Sequence, residues 1–196
     1  MGIVVLLSGG LDSSLMTKLI IEETHNVFPL FINYGQINYN KELEACHNLC
    51  KSLNIENLKI INISDFGNKI PSGLTASDLH INKDAFLPNR NGLLLLIASS
   101  YAYQVKAKYI ALGLLNDKNS IFPDQTREFL DAFEKFINAS LNKEIKVLSP
   151  FMAMTKSDVI KLAKEKHIDY SYSCHAGTNE PCGICISCLE FINSKN

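Results

Sequence analysis

The chain has 196 residues, 46% of them hydrophobic and 20% charged, enough apolar material for one sizeable core with a small appendage. A formal net charge of −1 excludes the bulk basicity of a protein that grips a long stretch of nucleic acid, so no stable nucleic-acid binding is expected. No apolar run reaches the roughly 20 residues needed to cross a bilayer and the start has no basic signal-peptide segment, so the expectation is a cytoplasmic protein off the membrane, its six cysteines metal ligands or core residues.

Residues 3–7 form a continuous apolar run closed by glycines, which predicts a central parallel strand. Residues 11–23 follow as a helix, with Leu11, Leu15, Leu19 and Ile20 at helical spacing. A strand over 27–34 leads to a helix over 40–53, where Cys46 and Cys50 read as core thiols rather than a redox pair. A third strand covers 58–63. Residues 64–91 break the rhythm with Gly67, Pro71, Gly73 and Pro88, and a stretch this long without elements reads as a functional loop. Next come a helix over 92–107, a strand over 109–113, and a helix over 124–141 with Phe129, Phe133, Phe136 and Ile137 on one side. A short strand at 146–148 and a helix over 156–166 complete the series. This alternation predicts an α/β fold, a doubly wound parallel sheet of about five strands, over residues 1–170, with residues 171–196, different in kind, as a small C-terminal segment packed on it.

Between the first strand and helix stands Ser8-Gly9-Gly10-Leu11-Asp12-Ser13-Ser14, at the position where an α/β sheet binds phosphates. Gly9 and Gly10 let the backbone turn and approach an anion, and the serines bring hydroxyls to a helix start. Asp12 has the wrong sign to touch phosphate, so it is expected to hold Mg²⁺ or pair with the helix N-terminus. The string is neither a Walker A motif nor a dinucleotide fingerprint. At the other end, Cys174, Cys182, Cys185 and Cys188 are spaced C-x7-C-x2-C-x2-C, which suits a closed, structural Zn²⁺ site; an iron–sulfur cluster and a disulfide pair are the alternatives.

The loop resembles that of the PP-loop ATP pyrophosphatase superfamily, with its adenine nucleotide alpha hydrolase-like fold. This implies that Leu7, Ser8, Gly9, Gly10, Leu11, Asp12, Ser13, Ser14, Leu15, Met16 and Thr17 form the ATP loop. With the cysteine tail, the chain is similar to the QueC family of 7-cyano-7-deazaguanine synthases. Asn33-Tyr34-Gly35-Gln36 resembles the family's DYGQ and Phe86-Leu87-Pro88-Asn89-Arg90-Asn91 its FVPGRN. Phe122-Pro123-Asp124 resembles the YPD of YPDCRxEF, and Ser149-Pro150-Phe151-Met152 with Lys156 the TPL…K segment.

The resemblance implies a ligase that uses ATP to adenylate 7-carboxy-7-deazaguanine, lets ammonia displace AMP, and spends further ATP on dehydration to the nitrile. The expected partners are that small molecule and ammonia, and the expected assembly is a homodimer. Arg90 is expected as a guanidinium clamp, Lys156 as a cation for the phosphates, and Asp117 or Asp124 as an acceptor for the guanine-type N–H edge, with an N-cap role on the following helix the plainer reading of Asp124. The chain departs from the family pattern at Asn33, Asn89 and across 117–127. These changes frame the alternative, a paralogue that halts at the amide or joins the carboxylate to another amine, such as one on a protein. Thiolation of tRNA and a non-catalytic nucleotide-binding module are the competing classes; the near-neutral charge speaks against the first.

Overall fold

The computed structural model describes residues 2–24, 26–115 and 121–194, so Asp117 and most of the loop that precedes Ile121 lie outside the described residues. The strands are β1 (Ile3–Leu6), β2 (Val27–Asn33), β3 (Lys59–Asn62), β4 (Tyr109–Ala111) and β5 (Lys146–Leu148). They form one parallel sheet in the order β3-β2-β1-β4-β5. β1 is central and apolar throughout, as a strand buried on both faces must be. Its alternation assigns the two faces: Val4 and Leu6 point into one apolar cluster, Val5 into another.

The first cluster is closed by α4 (Arg90–Val105) and α5 (Arg127–Leu141), the second by α1 (Leu11–Glu23) and α6 (Lys156–Glu165). A third cluster beneath α2 (Tyr39–Ser52) buries Cys46 and Cys50 with Leu7, Phe31 and Leu49. Burial pushes both thiols up, Cys50 to about 11, so these are inert core residues.

The doubly wound parallel sheet is therefore as the sequence predicts, with differences at the element ends. The loop over 64–91 contains a short helix, α3 (Ser64–Lys69), and its turns bury Ser72, Leu74, Ala85 and Leu87. The helix predicted from 124 begins at Arg127, after a 3-10 turn at Pro123–Gln125. Phe136 is 54% exposed rather than on the apolar face; Leu130 and Ile137 carry that burial. The tail adds a helix that the cysteine spacing hid, α7 (Ile186–Asn193). Among the described residues, no helix is long and apolar enough to cross a membrane.

The strand order changes direction at β1: the chain moves outward through β2 and β3, then returns past β1 to β4. Loops leaving the ends of β1 and β4 therefore diverge, and such a divergence opens a crevice at the carboxyl end of the sheet.

Candidate active site

That crevice is a cavity of about 670 Å³, bordered by Ser8, Gly10, Asp12, Ser13, Arg90 and Lys156, among others. The nominated ATP loop divides in two. Leu7, Ser8, Gly10, Leu11, Asp12 and Ser13 border the cavity, whereas Ser14, Leu15, Met16 and Thr17 are buried as α1 turns inward.

The two glycines do different things. Gly9 has φ +78°, and a Cβ there would stand 2.4 Å from the Glu42 carbonyl oxygen, so Gly9 is required where α2 presses on the loop. Gly10 has an ordinary φ of −72° and would meet nothing nearer than 3.5 Å; what its missing side chain leaves open is the cavity. Gly10 also starts α1 without a side-chain cap, so the positive end of a 13-residue helix faces the cavity. The loop's shape is held by its serines: the Ser8 N–H donates to Ser13 Oγ at 3.2 Å, and Ser13 Oγ donates to the Gly10 carbonyl at 3.1 Å. An uncapped helix start beside a side-chain-free backbone fits a polyphosphate.

Lys156 enters from the first turn of α6, whose Thr155–Asp158 capping box fixes its backbone. Its ammonium lies 2.8 and 2.9 Å from the two Asp12 oxygens, 3.6 Å from a Glu190 oxygen and 4.9 Å from the centre of the Phe191 ring. Asp12 thus pairs with a lysine rather than with the helix end. Burial raises Glu190, with Lys156 working against it.

Arg90, the first residue of α4, sits with its guanidinium carbon 5.8 Å from the Tyr34 ring centre. Burial raises the Tyr34 phenol and Arg90 works against that rise. Asp124 is buried but does not border the cavity: its Oδ2 accepts the Asn91 N–H at 3.1 Å and its carbonyl accepts Asn91 Nδ2 at 2.9 Å. It therefore caps the start of α4 and not the helix that follows, whose cap is Thr126. The sequence had no way to register this contact between segments 33 residues apart.

Two of the departures from the family pattern have backbone reasons. Asn89 adopts φ +60°, a left-handed conformation that glycine takes freely and asparagine tolerates. Asn33 Oδ1 accepts the Gly35 N–H at 3.0 Å, a turn that an aspartate would make equally well.

The structure adds residues that the sequence analysis did not single out. Glu42 borders the cavity, its carboxylate held by Gln36 Nε2 and Asn38 Nδ2, each at 3.0 Å. The tail supplies Ser173, His175 and Glu190 to the wall. Burial, with Arg90 and Lys156 next, holds His175 down to about 4, so its imidazole is neutral. One signal for Glu42 was present: the amide-rich Gln36 and Asn38 lie just upstream of it, and a buried carboxylate needs such donors.

The four cysteine sulfurs of the tail lie within 4.8 Å of one another. Backbone N–H groups of Cys182, Cys185 and Cys188 donate to the sulfurs of Cys174, Cys182 and Cys185 at 3.4 Å each. Despite the opposing effect of burial, hydrogen bonds led by those from the Cys182 and Ala176 N–H groups hold the Cys174 thiol down to about 6. Burial raises the Cys185 and Cys188 thiols despite their backbone donors, so it is the closeness of four sulfurs that fits a metal ion, whose charge would favour the thiolates. The tail is joined to the loop between β1 and α1 by Tyr172 N–H to the Gly9 carbonyl at 2.8 Å and Leu11 N–H to Ser173 Oγ at 3.4 Å.

Known proteins share both sequence and architecture. The family model described as queuosine biosynthesis protein QueC matches residues 2–192. The 7-cyano-7-deazaguanine synthase 1 of Desulfitobacterium hafniense is 32% identical over 96% of this chain and 88% of its own length. The 7-cyano-7-deazaguanine synthase of Prochlorococcus marinus is 34% identical over 99% of this chain and 96% of its own. Among solved structures, a 4-thiouridine synthetase in complex with RNA and bound ATP superposes with a TM-score of 0.59 at 17% identity, over 99% of this chain and 50% of that one, a likeness of fold. With a family match over almost the whole chain and relatives above 30% identity that cover nearly all of it, this chain belongs to the QueC family.

Proposed function

We propose that the chain is an ATP-dependent C–N ligase that adenylates 7-carboxy-7-deazaguanine and converts it with ammonia to 7-cyano-7-deazaguanine, releasing AMP and pyrophosphate. The observation that carries this reading is the shared wall: the uncapped start of α1, the Arg90 guanidinium and the Lys156 ammonium all meet one cavity. A carboxylate is a poor electrophile because oxide must leave; as an acyl adenylate it loses AMP instead. That activation joins two anions, so the site must supply positive charge. The α1 N-terminus and Lys156 serve the triphosphate, with Asp12 keeping Lys156 in place. Arg90 offers a two-pronged donor to the substrate carboxylate, and Asp124 acts as a positioning residue by holding the first turn of α4. Mg²⁺ bound with ATP would neutralise the triphosphate further, and would share Asp12, the carboxylate of that loop, with Lys156.

In this reading the metal of Cys174, Cys182, Cys185 and Cys188 is Zn²⁺ in a structural role, residues 171–196 form the knuckle on a 1–170 body, and the cytoplasmic protein is a homodimer, which light scattering checks. Adenylation is tested by exchange of labelled pyrophosphate into ATP. Exchange that requires the deazaguanine carboxylate supports the reading, and its absence at saturating ATP overturns it.

A further inference from the structure

The ligase reading leaves one proton without a destination. In neutral water the nitrogen donor is ammonium, which has no free electron pair until a proton departs. Glu42 is an ionisable group of the cavity wall with no part in the scheme so far. Its backbone presses on Gly9, which sets it directly beside the ATP loop.

Its carboxylate is aimed by a network that reaches three segments. Gln36, which holds Oε2, is itself tied to the Ile32 carbonyl at 3.2 Å and the Tyr34 N–H at 2.9 Å. Asn38, which holds Oε1, is tied to the Cys174 carbonyl at 3.1 Å. One amide on each oxygen fixes the orientation and leaves each a further lone pair. Burial raises this carboxyl to about 7, against the pull of Gln36, Asn38 and Arg90, so near neutrality it both accepts and releases a proton. Its ionisable neighbours are Tyr34, Arg90 and, behind it on α2, Cys46; Asp12 and His175 share the cavity. The Arg90 cation disfavours a second cation beside it, which promotes loss of the ammonium proton.

We propose that Glu42 is the catalytic base that takes a proton from ammonium inside the cavity and frees ammonia beside the activated acyl group, an inference that rests on the ligase reading. An N–H bond of ammonium breaks and its proton goes to a Glu42 oxygen. The freed pair forms the C–N bond, the acyl C–O bond to AMP breaks with its electrons leaving on AMP, and a second proton passes from nitrogen to solvent as the amide forms. Glu42 then returns its own proton to solvent.

Glu42→Gln separates the two half-reactions. Carboxylate-dependent pyrophosphate exchange, which needs no ammonia, is expected within about twofold of wild type, while amide formation from ammonium at neutral pH falls about 10²-fold, the usual scale of a lost base. Against total ammonium, the wild-type rate levels off above a pH of about 7, whereas the variant climbs about tenfold per pH unit as free ammonia accumulates. Hydroxylamine, already unprotonated at neutral pH, restores turnover. An equal loss in both half-reactions, an unchanged ammonium rate, or no rescue by pH and hydroxylamine overturns the proposal. A wild-type profile that climbs without levelling does so too, whether or not the variant folds. Absence of exchange in the wild type strikes the ligase reading itself.

Discussion

The paired glycines carry opposite burdens despite their identical chemistry. Gly9→Ala places a Cβ against the Glu42 carbonyl at a positive φ, so it is expected to lower the unfolding free energy by about 2–4 kcal/mol in urea titrations. Gly10→Ala has room and an ordinary φ, so stability should stay within about 0.5 kcal/mol. Its methyl group faces the cavity, however, and ATP affinity measured by calorimetry should fall at least about tenfold, the scale of one lost charge-assisted hydrogen bond. Equal stability losses in the two variants would contradict this division. The sequence made both glycines legible as a phosphate loop but could not separate them, because the obstacle to a side chain at Gly9 comes from α2, more than thirty residues downstream.

At the level of elements, periodicity read the sheet and its covering helices well, since each buries one apolar stripe against β1 or its neighbours. It failed where an element is held by a polar contact from elsewhere. The start of α4 is the clearest instance: Asp124 caps it across 33 residues of sequence, and the helix presents Arg90 to the cavity. Asp124→Ala leaves the buried Asn91 N–H without an acceptor and should lower the unfolding free energy by about 1–3 kcal/mol. Asp124→Asn keeps an acceptor and should lose less. If Asp124 serves only through α4, the alanine variant also raises KM for the carboxylate while leaving ATP affinity near wild type; a selective loss of ATP binding would refute that role. The α7 helix escaped notice for a related reason, since its eight residues follow metal-ligand spacing more visibly than helical spacing.

Across the whole molecule, the cysteine knuckle and the loop between β1 and α1 form one construction. The Tyr172 and Ser173 contacts fasten the tail to Gly9 and Leu11, and Glu190 reaches Lys156 from two residues past Cys188. Stripping the metal with a chelator, or Cys188→Ser, should therefore lower Tm and weaken ATP binding together. One zinc per chain by elemental analysis is expected, and stoichiometric iron with visible absorbance would contradict the zinc assignment. The most direct test of the account follows the product. Purified protein incubated with ATP, Mg²⁺, 7-carboxy-7-deazaguanine and ammonium should yield 7-cyano-7-deazaguanine with AMP and pyrophosphate, identified by mass spectrometry. A reaction that consumes ATP yet ends at the amide, or leaves the carboxylate untouched, would contradict it.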